Sequence, residues 1–168
     1  MRPLTVSFGK GDKAAITAVK VMQWTQLADA LTAEPPESED KASRGWYIPA
    51  SFSAPRRHGD NFVSRDAITL DLDQPTIDTW GNTIIALADV PFAMYTTFSH
   101  TYDAPRFRVV IPLSRPAGFD EYQAVVRKVS EKIGIEYVAR ESFVAPQMMY
   151  LPLRKLGGAF ESYIGKGK

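Results

Sequence analysis

The middle of the chain alternates apolar and polar residues with the period of β-strands, and two stretches instead show a helical period. Residues 67–73 (AITLDLD), 92–99 (FAMYTTFS) and 106–113 (RFRVVIPL) predict three strands. A helix is predicted between the first two, over 76–90, and another over 118–134, where apolar residues recur three and four positions apart. The predicted order in this region is therefore β-α-β-β-α.

The flanking regions carry shorter patterns. Extended segments are predicted at residues 3–8, 45–54, 147–153 and 159–164. A short helix is predicted over 24–34, with Thr25 as its N-cap. Helices packed on a mixed or antiparallel sheet define an α+β fold, and β-α-β-β followed by α-β is close to an RRM-like or ferredoxin-like pattern.

Neither a repeat nor a low-complexity linker divides the chain, so we expect a single domain over residues 1–168. The last residues contain no closing element, which suggests that the chain is a fragment of a longer protein. The sequence contains neither a signal peptide nor an apolar run of membrane-spanning length. We therefore expect a cytoplasmic protein without a membrane partner.

Composition restricts the chemistry that the chain can support. The chain has no cysteine and two histidines, so disulfides and thiolate metal sites are excluded. Any bound metal would be a hard cation held mainly by carboxylates, which points to Mg²⁺ or Mn²⁺. The formal net charge is +1, but basic side chains exceed acidic ones in the second half of the chain. A surface that binds polyanions is therefore expected mainly there.

Two aspartates at the end of the 67–73 strand are the first candidates for chemistry. Asp71 and Asp73 are two residues apart and therefore point to one face of the strand, about 6.6 Å apart along it. Two carboxylates at this spacing repel each other unless they share cations, and a pair of divalent ions would suit them. The alternative is that Asp73 caps the following loop and Asp71 is a solvated charge at a strand end.

The next two strands carry candidate groups for binding phosphate. Arg106 and Arg108 share one face of their strand, and His100 follows the preceding strand. Guanidinium groups match the geometry of phosphate oxygens, so the pair can hold a triphosphate or a nucleic-acid backbone, and the histidine can contact a phosphate. The alternative is a solvated strand face and a loop histidine that forms structural hydrogen bonds. The acidic pair, the histidine and the basic pair are all expected on one sheet.

These motifs occur in an order that resembles a known superfamily. In chain order they are DLD, SHT, PRFRVVIPLSRP and MMYLP. Over residues 66–152 this order resembles the archaeo-eukaryotic primase superfamily, in particular the primase-polymerase domains at the N-terminus of phage and plasmid replication proteins. The resemblance implies an RRM-like primase catalytic core and the N-terminal part of a longer replication protein.

The resemblance also implies roles for individual residues. Asp71 and Asp73 are similar to the superfamily's catalytic metal ligands, His100 to its nucleotide-contacting histidine, and Arg106 and Arg108 to residues that face the triphosphate. A third acidic residue is expected near position 139, where this chain has alanine. Glu136 is taken as its replacement, and Glu141 is the other candidate. Gln147 stands where similar proteins often have arginine.

The implied activity is template-dependent nucleotidyl transfer by two metal ions, for primer synthesis, DNA polymerisation or both. The implied partners are nucleoside triphosphates, a single-stranded DNA template and a helicase domain in the same chain or in trans. Template contacts are expected from the basic residues Lys10, Lys13, Arg56 and Arg57. Two other functions remain open: a non-catalytic nucleic-acid-binding module of a replication initiator, and a nuclease that uses the same carboxylates.

Overall fold

The computed structural model describes residues 1–168 and contains eleven strands and three helices.

 They are β1 (Leu4–Gly9), β2 (Ala18–Met22), α1 (Trp24–Thr32), β3 (Glu37–Ser38), β4 (Trp46–Ile48), β5 (Ala50–Phe52), β6 (Phe62–Asp73), α2 (Thr79–Ala86), β7 (Pro91–Thr96), β8 (Arg106–Ala117), α3 (Phe119–Ile133), β9 (Met149–Tyr150), β10 (Arg154–Lys155) and β11 (Ser162–Lys166). Three short 3₁₀ turns lie at Gly59–Asn61, Ile135–Tyr137 and Arg140–Phe143.

A five-stranded antiparallel sheet forms the centre of the molecule, with the strand order β11-β7-β8-β6-β5. Strand β8 lies between β6 and β7 and is antiparallel to both, so β6 and β7 are parallel to each other. Helix α2 connects these two strands, which gives a split β-α-β unit. This arrangement confirms the α+β fold and the β-α-β-β order predicted from the sequence.

One face of the central sheet packs against α2 and α3. Alternate residues of β6 and β8 point to this face because neighbouring side chains of a strand point to opposite faces. The buried cluster there includes Ile68, Leu70, Leu72, Phe107, Val109, Tyr122 and Val126. The apolar residues that flank the two aspartates of β6 therefore anchor the strand in the core.

The opposite face of the central sheet packs against a second, four-stranded sheet with the order β2-β1-β4-β9, and against α1. Small residues of the central sheet, Ala67, Ala93 and Val110, are fully buried beneath Leu4 and Val6 of β1. Asp71 and Asp73 lie on this same face of β6, closer to the C-terminal end of the strand than the buried Ala67. The fold thus places both carboxylates between the two sheets, near their edge.

The structure differs from the predicted boundaries in the less regular segments. Helix α1 begins after Gln23, which forms a capping box with Gln26, so the assignment of Thr25 as N-cap was wrong. Helix α2 covers only Thr79–Ala86 of the predicted 76–90. It ends before the Val90-Pro91 step, where proline disfavours helical geometry in the preceding residue.

Strand β2 was not predicted from the sequence. Val19 and Val21 alternate with Lys20 in its sequence, but this edge strand is short and both valines are exposed, so it buries no apolar face of its own. The predicted strand over 147–153 is reduced to the two residues of β9, which pair with β4.

None of the three helices combines the length and the hydropathy needed to cross a lipid bilayer.

Candidate functional site

A cavity of about 270 Å³ opens on the face of the central sheet that carries Asp71 and Asp73. Its wall includes residues from β6, β7 and β8, and from the chain on both sides of β9. Lys41 contributes from a loop before β4. The lining residues that matter for chemistry are Lys41, Asp71, Asp73, Tyr95, Arg106, Arg108, Glu141 and Tyr150. The structure therefore brings the predicted acidic and basic pairs into one cavity.

The two pairs face each other directly across neighbouring strands. Asp71 lies opposite Arg108 and Asp73 opposite Arg106 in the β6–β8 register. An Asp71 carboxylate oxygen lies 3.3 Å from an Arg108 guanidinium nitrogen, and the corresponding distance from Asp73 to Arg106 is 3.5 Å. The inner pair is largely buried, whereas both side chains of the outer pair are more than a third exposed. The two arginines therefore differ in their freedom to bind a ligand.

Arg108 is held on several sides. Its guanidinium donates hydrogen bonds to the Tyr95 hydroxyl (3.3 Å) and to the carbonyl of Tyr150 (3.0 Å). The Tyr95 hydroxyl in turn lies 2.8 Å from that of Tyr47. Burial alone would lower the pKa of Arg108, but the charge of Asp71 and the contact with Tyr95 outweigh it and raise the pKa. Burial and the neighbouring Tyr95 raise the pKa of Tyr47 well above its ordinary value, so the tyrosine stays protonated.

The backbone of Asp71 is fixed by the segment that follows α3. Its N–H donates to the Ser142 hydroxyl (2.9 Å), and its carbonyl accepts a hydrogen bond from the Ala139 N–H (2.8 Å). The Tyr122 hydroxyl donates to the Ser142 carbonyl, and the buried Arg65 donates to Tyr122. Asp71 is thus locked to α3 through a chain of buried polar contacts.

The position expected for a third acid lies next to Asp71, as the motif spacing indicates. Ala139 lines the cavity, and its methyl group cannot bind a metal. Glu141 also lines the cavity, whereas Glu136 is exposed in a 3₁₀ turn and does not. The structure contains no group of three or more His, Cys, Asp or Glu side chains arranged to hold a metal ion.

His100 lies behind Arg106 and is not part of the cavity wall. Its Nδ1 accepts the backbone N–H of Arg106 (3.2 Å), and its ring packs edge-on against Tyr102. Burial lowers the pKa of His100, although the charge of Glu161 partly opposes this effect. The ring is therefore neutral at pH 7, with its proton on Nε2, which is buried and has no hydrogen-bond partner.

Comparison with known proteins assigns the chain to a family. The model of the VapE N-terminal domain matches residues 36–163, which is more than half of the chain. The chain belongs to the VapE N-terminal domain family. No curated protein matches it at a significant level.

A solved structure supports the fold independently. The chain is similar to the AEP domain of the cyanophage S-2L primase-polymerase (PrimPol), with a TM-score of 0.55 and 10% sequence identity. The match covers 99% of this chain and 83% of the other. The similarity confirms the primase-polymerase fold that the motifs suggested, and the VapE family match agrees with it.

The basic residues predicted to contact a template have different environments in this VapE-type domain. Lys10 is exposed, and the exposed Arg56 lies 3.7 Å from Asp12. Arg57 is half-buried and donates hydrogen bonds to the carbonyls of Lys13 (2.8 Å) and Pro146 (2.7 Å). Burial lowers the pKa of Arg57, an effect that the charge of Asp12 partly offsets. Arg57 therefore joins two loops, and its guanidinium is already engaged by the protein.

Several residues of the site have no marker in the sequence. Lys41 lies in a polar loop without periodicity, and Tyr150 follows two methionines that read as core. Ser142 contacts Asp71 although the two are 71 positions apart along the chain. Only the MMYLP motif, as part of an ordered set, indicated that the segment containing Tyr150 belongs near the aspartates.

The donor set is compatible with a hard divalent cation. Asp71 and Asp73 supply carboxylate oxygens on one face of β6, where each also contacts an arginine. Mg²⁺ is commonly held by one or two carboxylates, with substrate phosphates and water completing its octahedral shell. These two residues fit one such ion, and Glu141 is the other carboxylate that lines the cavity.

Proposed function

We propose that this VapE N-terminal domain catalyses template-dependent nucleotidyl transfer in phage or plasmid replication, for primer synthesis, DNA polymerisation or both. The observation that carries the proposal is the position of Asp71 and Asp73, which line one cavity together with Arg106 and Arg108. Carboxylates for a metal and guanidiniums for a triphosphate are the two groups that phosphoryl transfer requires most. The primase-polymerase fold supports the same conclusion.

The nucleotide would bind through Arg106 in the first place. Its ion pair with Asp73 is partly exposed, and such pairs contribute only about 0–1 kcal/mol, so Arg106 can exchange the carboxylate for a phosphate at little cost. The buried Arg108 would add fixed positive charge below the phosphates and keep Asp71 in place. His100 supports the backbone of Arg106, and its predicted contact with the nucleotide would require the ring to turn, because its Nε2 is buried and the residue does not line the cavity.

Asp71 and Asp73 would hold Mg²⁺ or Mn²⁺. When bound, the metal would supply charge neutralisation for the triphosphate and activation of the attacking 3′-hydroxyl. We propose Glu141, rather than Glu136, as the third carboxylate, because Glu141 lines the cavity. The rigid attachment of Asp71 to Ser142 and Ala139 would keep its carboxylate oriented before the nucleotide arrives.

The proposal is tested by incorporation of labelled nucleotides on a single-stranded template with Mg²⁺ or Mn²⁺. Asp73→Asn should abolish incorporation, and because Asp73 is exposed the variant should fold normally. Asp78→Asn is the matched control, since Asp78 is exposed, lies just before α2 and does not line the cavity. Equal incorporation by the wild type and Asp73→Asn would refute metal-dependent transfer at this site.

A second function is favoured by the alanine at position 139. Without a third acid beside Asp71, the cavity can still bind nucleotides or nucleic acid and yet transfer poorly. Under this alternative the domain is a non-catalytic binding module of a replication initiator. Asp73→Asn would then still bind single-stranded DNA, and neither the wild type nor the variant would incorporate nucleotides. Degradation of labelled DNA in the same reactions would reveal a nuclease instead.

The proposed reaction also defines the expected partners. They are nucleoside triphosphates, a single-stranded DNA template and a helicase domain, in the same chain or in trans, that would expose the template. A domain acting on replicating phage or plasmid DNA would work in the cytoplasm of the host cell.

A further inference from the structure

One tyrosine at the edge of the cavity has two lysines beside its ring. The ammonium groups of Lys13 and Lys41 each lie 5.9 Å from the centroid of the Tyr150 ring. The two lysines come from different loops, and no carboxylate lies within ion-pair distance of either. Tyr150 is partly exposed, and both Tyr150 and Lys41 line the cavity that contains Asp71 and Asp73.

Both lysine-bearing loops are held in place by hydrogen bonds. The carbonyl of Lys13 accepts a hydrogen bond from Arg57, and the preceding Asp12 carbonyl accepts one from the Trp46 indole (3.2 Å). The loop of Lys41 is closed by a hydrogen bond between the Ser38 and Ser43 hydroxyls (2.9 Å). The lysine backbones are therefore anchored, while their side chains remain exposed.

The Tyr150 ring is anchored as well, through its own backbone. Tyr150 pairs with Trp46 in the β4–β9 ladder, and its carbonyl accepts a hydrogen bond from Arg108. Because Arg108 also contacts Asp71, a single side chain links the backbone of Tyr150 to Asp71, and both residues line the same cavity. A ligand on the Tyr150 ring would consequently lie beside the proposed reaction centre.

An aromatic ring flanked by cations is the arrangement with which proteins bind single-stranded nucleic acid without sequence preference. The ring stacks on a base, and the cations contact the adjoining phosphates. At 5.9 Å the ammonium groups are near the outer limit of a cation–π contact, so either can move to a phosphate. A second contact of this kind adjoins the cavity: the ammonium group of Lys155 lies 5.6 Å from the ring centroid of Phe98, which lines the cavity.

We propose that Tyr150, Lys13 and Lys41 form a subsite for the single-stranded template. One base stacks on the Tyr150 ring, and the lysines bind the phosphodiester groups on either side. This inference deepens the proposed function and rests on it, because it assigns the template to the cavity that holds the acidic pair. It replaces Arg57 with Lys41 among the predicted template contacts.

The test measures binding of a fluorescent oligodeoxythymidine by anisotropy, without metal or nucleotide. Tyr150→Leu should weaken binding about tenfold, and Tyr150→Phe, which keeps the ring, should bind like the wild type. A Lys13→Ala/Lys41→Ala variant should reduce the slope of log affinity against log salt concentration by about 1.4, or about 0.7 for each phosphate contact. Both lysines are exposed, so this variant should fold even if Tyr150→Leu does not.

Lys20→Ala is the matched control, because Lys20 lies over the ring of Phe8 at 5.6 Å and neither residue lines the cavity. It should bind the oligonucleotide like the wild type. Oligonucleotide binding that is absent in the wild type, or unchanged in the lysine double variant, would overturn the inference. The inference would also be overturned if the lysine double variant bound a nucleoside triphosphate more weakly but bound the oligonucleotide like the wild type. The lysines would then serve the nucleotide.

The readouts separate this inference from the proposed function. Binding that depends on Tyr150, Lys13 and Lys41 in a protein that incorporates no nucleotide would support the subsite and contradict the catalytic proposal. Incorporation that requires Asp73 but is independent of these three residues would support the catalytic proposal and contradict the subsite.

Discussion

The Ser142 hydroxyl accepts a hydrogen bond from the backbone N–H of Asp71, across 71 positions of the chain. Ser142 is almost fully buried, and the adjoining Ala139 N–H donates to the carbonyl of the same aspartate. The segment after α3 therefore holds the end of β6 at the point where its side chains enter the cavity. The position of the acidic pair depends on this contact as well as on the sheet.

Replacing Ser142 with alanine should destabilise the protein. The N–H of Asp71 would lose its partner, and a buried unpaired donor costs about 1–3 kcal/mol. The free energy of unfolding in urea measures the effect. Ser130→Ala is the control, because the Ser130 hydroxyl is buried without a partner in α3 and alanine favours helix. Equal losses in the two variants would show that the contact with Asp71 contributes nothing.

The two arginines should contribute unequally to stability. Arg108→Ala would leave Asp71 and the carbonyl of Tyr150 without their partner, and breaking a largely buried ion pair costs about 3 kcal/mol. Arg106→Ala should cost less than about 1 kcal/mol, because its pair with Asp73 is exposed to solvent. Denaturant unfolding of both variants measures the difference, and a larger loss in Arg106→Ala would contradict the assignment of Arg108 as the fixed partner.

Restoring an acid at position 139 should strengthen metal binding. Ala139 lies beside Asp71 and precedes the 3₁₀ turn Arg140–Phe143 in an extended conformation, where aspartate is a favourable cap. We expect Ala139→Asp to bind Mn²⁺ at least about tenfold more tightly than the wild type in calorimetric titration, by analogy with the effect of an added ligand charge. Ala139→Asn, of the same shape without the charge, is the control. Identical Mn²⁺ affinity in all three proteins would show that position 139 does not face the metal.

The partly buried His100 should make stability depend on pH. Its pKa in the folded protein is below the ordinary value of 6.5 because burial disfavours the charged ring. The unfolded chain therefore binds more protons in the interval between the folded pKa and about 6.5, and stability falls as pH decreases through that interval. Proton NMR titration of the histidine rings measures the pKa, with His58→Gln identifying the remaining signal. A His100 pKa at or above 6.5 would contradict this environment.

The regular part of the fold was predictable because its strands and helices carry strong periodic patterns. The alternation around Asp71 and Asp73 correctly placed both side chains on one face of β6, and the same reasoning placed Arg106 and Arg108 on β8. The pairing of each aspartate with an arginine depends on the antiparallel register of β6 and β8, which α2 and β7 separate along the chain. Residue spacing alone does not specify that register.

The rest of the site depends on contacts that sequence patterns do not encode. Lys41 and Lys13 reach Tyr150 from loops fixed by hydrogen bonds, and loops lack a hydrophobic period. The half-buried Arg57, a predicted template contact, also binds two backbone carbonyls, which only the three-dimensional arrangement of its neighbours reveals. Which of Glu136 and Glu141 lines the cavity likewise depends on the course of the chain after α3.

The most direct test of the catalytic proposal is a crystal structure of the domain soaked with Mn²⁺ and a non-hydrolysable nucleoside triphosphate. We predict anomalous density for Mn²⁺ between the carboxylates of Asp71 and Asp73, with the triphosphate contacting Arg106. A triphosphate bound at Arg106 with no Mn²⁺ at the aspartates, or Mn²⁺ bound only elsewhere, would contradict the proposal.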